Sequence, residues 1–376
     1  MKRLLAAPLL AACLLLAVTL GSQAAPVKPP PAPKGFFGIA PQNILTDADV
    51  RYMKAGGIDA VRWPLPWSAV QPTRKGGYNW EVLDPVVEVA ARRGLEVLPF
   101  VYATPPWISR KYTTLPVDSG VAKRAWVQFL EAAVARYGPG GQFWIERAPG
   151  GVGVVQYEPV IAREVPIRKW QIWNEANFFY FAYPASPQRF TRLLKISSPA
   201  IKRIDPGAQV ILSGLFGEPT AKGKRGMPAT QFLDAVYRTP GIKRFFDGIA
   251  LHPYAAFSED LEEMVEALYE VTEENNDRRV PFYITEMGWG SENNFKQVAF
   301  EQGVRGQVKQ LKASYGYLLE NRRRLNLKQV YWFSWKDLEG TCTFCDSVGF
   351  FREGPAFRPK PAWRAFVSLT GGRARP

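Results

Sequence analysis

The chain has 376 residues, a single histidine, three cysteines and a formal net charge of +14. With only His252, chemistry that needs two histidines is excluded, and a closed zinc site lacks a second pair of ligands. Carboxylates are therefore favoured by elimination. The positive charge can suit anionic glycans, anionic cell envelopes or nucleic acid. Yet Lys and Arg are scattered, as at Lys195, Lys202 and Arg203. The run Arg322-Arg323-Arg324 ends a predicted helix, where cations are favoured in any case. No nucleic-acid motif accompanies them, so the expectation is a soluble basic surface.

Met1-Lys2-Arg3 precedes an apolar run from Leu4 to Leu20, and Ser22 and Ala24 supply small residues for cleavage. Residues 1–24 thus read as a signal peptide and predict a secreted or cell-envelope protein. An uncleaved anchor, or lipidation at Cys13 in Leu10-Ala11-Ala12-Cys13, is the alternative. Losing Lys2 and Arg3 with the leader takes two from the charge, leaving +12. Residues 25–34 are too proline-rich for a packed element and predict a stiff polyproline-type tether. Residues 35–376 suit one α/β barrel better than two domains, with no repeat or appended module. A monomer with no stable membrane span after cleavage is expected.

From Gly35 onward, apolar runs alternate with amphipathic stretches. Strands are predicted at 35–40, 58–63, 95–102, 168–174, 209–213, 246–251, 281–286 and 329–335. Helices are predicted at 46–56, 81–93, 119–137, 187–204, 228–238, 259–275, 297–324 and 361–369. Eight strands, each followed by a helix, imply a parallel sheet closed into a (β/α)₈ barrel. Thr46 and Asp49 form a capping-box pattern before the first helix. Glycines 56, 57 and 94 mark helix ends. The Gly- and Pro-rich segment 138–165 predicts an ordered loop or small insertion before the fourth strand, away from the catalytic end.

In such a barrel the active site lies at the C-terminal ends of the strands. The fourth strand ends in Trp173-Asn174-Glu175 and the seventh in Ile284-Thr285-Glu286-Met287-Gly288-Trp289. Both glutamates follow apolar runs, a context unlike that of ordinary surface acids. The second strand gives Val61-Arg62-Trp63, the third Tyr102 and then Trp107, the sixth His252-Pro253-Tyr254, and the eighth Trp332 through Trp335. Tryptophans 63, 107, 173, 289 and 335 fall at or just past strand ends. Trp80, Trp126 and Trp170 read as core. Two carboxylates flanking a glycosidic bond are the minimal machinery of most glycoside hydrolases. Aromatic faces that can stack on sugars fit the same chemistry. No cofactor and no metal is expected.

These motifs together resemble the clan A glycoside hydrolases, with family 39-like and family 5-like members as the nearest look. The two glutamates stand 111 residues apart, room for three βα units. The resemblance implies a retaining enzyme in which Glu175 is the general acid/base and Glu286 the nucleophile. It further implies that Asn174 binds the sugar 2-hydroxyl, Arg62 keeps Glu286 ionised, and Tyr254 donates to Glu286. Trp335 would floor the subsite of the sugar being cleaved, with Trp107 and Trp289 as further aromatic contacts. His252 reads either as a substrate contact or as a satisfied strand-end histidine. Ala176 stands where many members have proline, which implies a looser loop. Tyr102 stands where many family 5 enzymes have a histidine.

Cys342 and Cys345 are the two cysteines left after the leader. In a cytosolic protein Cys-Thr-Phe-Cys would suggest zinc or redox chemistry, but behind an export signal it predicts a small-loop disulfide. Trp67, Trp107 and Phe178-Phe179-Tyr180-Phe181, in different loops, suit a cleft spanning several sugars and hence endo action or oligosaccharide trimming. Two alternatives share the barrel: a glycan-binding envelope protein without hydrolysis, and a transglycosylase.

Overall fold

The computed structural model describes residues 32–150, 158–340, 342 and 344–376. The predicted leader and the tether up to residue 31 lie outside the described residues, as do 151–157 of the predicted insertion.

Eight parallel strands close in sequence order: β1 Phe37–Ile39, β2 Ala60–Pro66, β3 Glu96–Tyr102, β4 Lys169–Ile172, β5 Gln209–Phe216, β6 Gly248–His252, β7 Phe282–Met287 and β8 Leu327–Trp332. β1 pairs with both β2 and β8, which closes the ring. The helices are α1 Asp47–Ala55, α2 Trp67–Val70, α3 Asp84–Ala91, α4 Gly120–Tyr137, α5 Gln142–Arg147, α6 Pro187–Ile204, α7 Ala229–Tyr237, α8 Ser258–Glu274, α9 Gly303–Asn321 and α10 Pro361–Thr370. This is the single (β/α)₈ barrel expected. No described helix is long and apolar enough to cross a membrane.

The strands read as apolar runs rather than alternating patterns because both faces are covered, by helices outside and packed side chains inside. β6 and β7 are buried at every position. Inside the barrel, Ala60, Leu98, Ile211 and Ala250 pack with the rings of Tyr283 and Tyr331, so side chains fill the interior. At α1 the capping box forms as read: Thr46 Oγ1 accepts from the Asp49 N–H, and Asp49 accepts from the Thr46 N–H.

Two local departures matter. The Gly/Pro-rich insertion contains α5, whose Phe143 and Trp144 are buried with Tyr137. And β8 stops at Trp332, three residues short of expectation, so Trp335 lies in the loop beyond the strand.

Candidate active site

Arg62 organises the C-terminal mouth of the barrel. It projects from β2 with 1% exposure and spends its donors on three partners. Nη1 donates to Glu286 Oε1 at 2.5 Å, Nη2 to Asn174 Oδ1 at 2.6 Å and Nε to Gln171 Oε1 at 2.7 Å. Its guanidinium also lies over the Phe100 ring, 4.0 Å from the centroid. A buried guanidinium is tolerable only when its charge and donors are matched this fully.

Glu286, at the end of β7, receives a second donor. Tyr254 Oη donates to Oε2 at 2.8 Å. Each carboxylate oxygen therefore has its own donor, an arrangement made for an anion. Burial, and then the charge of Glu286, push the Tyr254 phenol well above its usual range, so it stays a donor.

Glu175 sits just past β4 with φ of 39°, following Trp173 with φ of 71°. Two left-handed residues close together turn the chain sharply out of the strand. The Glu175 N–H donates to Gly214 O at 3.1 Å, fixing the turn against β5. Non-glycine residues in this region cost free energy and persist where the surroundings over-determine them. Oε1 lies 2.9 Å from His252 Nδ1. Burial raises the Glu175 carboxyl well above the usual range, the nearby Glu286 charge adds to this, and Arg62 opposes it. One carboxyl is thus buried beside a histidine while its partner is gripped by two donors. Oxygens of Glu175 and Glu286 and a His252 nitrogen all lie within 4.8 Å of one another.

His252 is fully buried, and both ring nitrogens are engaged, Nδ1 with Glu175 and Nε2 with Thr285 Oγ1 at 2.9 Å. Burial, with Arg62 nearby, drives its pKa well below normal, so the ring is neutral. Its seat requires Gly214: a Cβ there would lie 2.0 Å from Nε2. The three atoms are close enough together to meet one cation. However, Arg62 and Tyr254 already occupy Glu286, and Thr285 occupies the far side of His252.

Asn174 is oriented by its neighbour. Arginine has no acceptor, so the oxygen of the amide must face Arg62, and the NH₂ group is left for another partner. Gln171 is a buried polar hub: Oε1 accepts from Arg62, while Nε2 donates to Leu212 O and Thr285 Oγ1. Gln171 and Gly214, and the supporting role of Thr285, are absent from the expected site. Their signal was polar or small residues inside otherwise apolar strands. Ala176 reverses an expectation: its N–H donates to Ser213 Oγ at 2.9 Å, a tie that proline could not make, so the loop is fastened rather than loosened.

The tryptophans need correction. Trp335 is wholly buried; its indole N–H donates to Asp49 of α1 at 2.8 Å, and its ring packs on Phe351 and Trp363. It cannot floor a subsite. Trp289 is also buried, donating to Ala256 O and packing on Trp332. Trp67 and Trp173 are core as well. Trp107 is half-buried, with its N–H on Gln71 O. The ring from the end of β8 that stands beside Tyr254 is Phe333, 6.2 Å away edge-on. Phe344 and Phe300 complete that side, each within 6 Å of Tyr254.

Phe344 belongs to the loop joined by the Cys342–Cys345 disulfide, whose Cα atoms are 5.0 Å apart. The bridge therefore holds a ring that packs on Tyr254. Intact mass without reductant should be 2 Da below the dithiol. Closing so short a loop removes modest chain entropy, so a double serine variant should lose about 2 kcal/mol. Free thiols in protein exported by its own host would refute the bridge.

A family model described as glycoside hydrolase family 42, beta-galactosidase, matches residues 40–132. No curated protein sequence matches the chain. Among solved structures, a family 39 glycoside hydrolase from Bacteroides cellulosilyticus WH2 superposes with a TM-score of 0.64 at 20% identity. That match covers 89% of this chain but 63% of that enzyme, so this chain spans under two thirds of its length. A monomeric beta-xylosidase from Caulobacter crescentus CB15 gives 0.62 at 17% identity, covering 90% and 68%. Xylanase 10B from Thermotoga maritima gives 0.58 at 16%, covering 90% and 95%. The chain has the barrel fold of the clan A glycoside hydrolases.

Proposed function

We propose that the chain is a secreted, monomeric, retaining β-glycoside hydrolase acting on a β-linked oligo- or polysaccharide. The observation that carries this is the pair of carboxyls at the barrel mouth. One oxygen of each lies within 4.8 Å of the other; Glu286 is gripped by Arg62 and Tyr254, and Glu175 is buried against His252. Retaining enzymes hold their carboxyls about 5–5.5 Å apart, too close for a water between nucleophile and sugar, and the close approach of Glu175 and Glu286 supports attack by the carboxylate itself.

Glu286 attacks the anomeric carbon as Glu175 passes its proton to the departing glycosidic oxygen. The C–O bond to the leaving group breaks and a glycosyl ester on Glu286 forms. Glu175, now ionised, takes a proton from water, whose oxygen attacks the same carbon and frees Glu286. The Asn174 NH₂ group faces the sugar 2-hydroxyl. Gln171, Thr285 and Gly214 touch no substrate; they hold Arg62 and His252 in register. Glycan binding without hydrolysis would need no such ion-paired carboxylate beside a buried acid.

The test is kcat/KM against pH on a panel of β-linked aryl glycosides and oligosaccharides. Glu175 must be protonated to act first. Its raised pKa keeps the acid form present to higher pH, and activity falls as pH rises through that value. The profile should show an alkaline limb above the ordinary carboxyl range, and Glu175→Gln should remove it. No turnover on any β-linked member would overturn the reading.

A further inference from the structure

Three loops meet on the Glu175 side of the mouth, those following β3 (103–119), β4 (173–186) and β5 (217–228). They are knitted together. Tyr112 Oη donates to Tyr180 O at 3.3 Å, the Tyr183 N–H to Thr113 O at 3.0 Å, and the N–H groups of Phe179 and Ala185 to Arg225 O and Lys224 O at 2.9 Å each. On this platform three tyrosines are unusually open: Tyr112 at 54%, Tyr180 at 58% and Tyr183 at 39% exposure.

The same loops carry five cations, Arg110, Lys111, Lys222, Lys224 and Arg225, all exposed. Among the described residues none has a carboxylate within 4.0 Å. Two lie on rings instead, Arg225 over Phe179 at 3.9 Å and Lys111 over Tyr183 at 5.2 Å. Of the acids on these loops apart from Glu175, Asp118 is already paired with Arg189. Glu218 lines a 420 Å³ cavity shared with Tyr254, Asp260 and Glu263. The platform also connects to the catalytic pair. Rings step from Tyr180 to Phe178 (4.9 Å), to Phe216 (5.1 Å) and to Tyr254 (6.0 Å), whose hydroxyl holds Glu286.

We infer that this platform binds uronate-bearing sugars of the substrate chain, beyond the sugar being cleaved. The inference rests on the glycosidase reading for the direction in which the chain runs. A pyranose presents its C–H face to a tyrosine ring, while a uronate carboxylate projects from the ring edge, where the flanking cations stand. A neutral sugar would use the rings and leave five charges unanswered. Cations with no carboxylate of their own are free to make charge-assisted hydrogen bonds to a uronate.

The experiment is calorimetric binding by the full chain of three probes: a β-linked mannuronate oligosaccharide, its carboxyl-reduced product, and a sulfated cello-oligosaccharide. The triple variant Lys111→Gln, Lys222→Gln, Lys224→Gln is compared with Lys195→Gln, Lys309→Gln, Lys312→Gln, which removes equal charge from outer helices. Tyr180→Ala is run beside them. The platform triple should weaken uronate binding about tenfold or more, as loss of charge-assisted contacts does, and the affinity that remains should depend less on salt than the parent's. Tyr180→Ala should weaken the mannuronate and the reduced probe alike. The outer-helix triple should stay within about twofold of the parent. Equal loss in both triples, or equally tight binding of the reduced probe, overturns the inference. Equal binding of the sulfated probe overturns the uronate assignment. If binding behaves as expected but the intact enzyme cleaves no β-glycoside, the glycosidase reading falls and the platform stands.

Discussion

Glu286→Ala is expected to lose turnover on every β-glycoside by a factor on the order of 10⁵ or more, the scale seen when a covalent nucleophile is removed. Among the described residues the carboxyl grouped with Glu286 is that of Glu175, which is turned toward His252 and buried with its pKa raised, so it is not placed to substitute. The change also strips a buried cation of its charge partner, which costs up to about 3–5 kcal/mol where nothing else compensates. Arg62 keeps Asn174 and Gln171 as acceptors, so the loss should fall at the low end of that range. Glu286→Gln preserves shape and a hydrogen-bond acceptor for Arg62. It should melt closer to the parent and remain equally inactive. A folded Glu286→Gln protein that retained a tenth of the parent's kcat would refute the nucleophile assignment.

Glu175→Ala should divide substrates by leaving group. Natural glycans need protonation as the bond breaks and should slow by about 10²–10⁴. Dinitrophenyl glycosides depart as stable anions, so their first step should be nearly intact. Their second step lacks a base, so the glycosyl ester accumulates and KM falls. Azide needs no base to attack, and the pocket left by the missing carboxylate lies beside the intermediate. Added azide should therefore restore turnover and yield a β-glycosyl azide. Equal losses on both substrate types, with no azide product, would show that Glu175 is not the acid/base.

The barrel was legible because its signals are long-range and redundant. Eight apolar runs alternate with amphipathic helices, and the C-terminal end of each strand marks where chemistry can lie. That placed Arg62, Asn174, Glu175, His252, Tyr254 and Glu286 at one mouth, and the structure brings them into mutual contact. Tryptophan positions were less informative. Residue type does not say which side of a strand end a ring takes, and buried polar partners decided it: Asp49 drew Trp335 inward and Ala256 O drew Trp289. The early end of β8 then put Phe333, rather than Trp335, edge-on beside Tyr254. Ala176 looked like a loss because proline's rigidity is visible in sequence while a single N–H bond to Ser213 is not. Gly214 and Gln171 show locally only as a small and a polar residue in apolar strands; what each one holds is set by the other strands it meets.

The central claim is a covalent glycosyl ester on Glu286, and direct trapping tests it. The intact protein would be incubated with 2-deoxy-2-fluoro-β-glycosyl fluorides of xylose, glucose, galactose and mannose, then digested and mapped by mass spectrometry. The account predicts one added 2-fluoroglycosyl group, carried by the peptide containing Thr285-Glu286-Met287 and absent from Glu286→Gln. A label on Glu175, or steady hydrolysis of β-glycosides with the α-anomer as first product and no label at all, would contradict it.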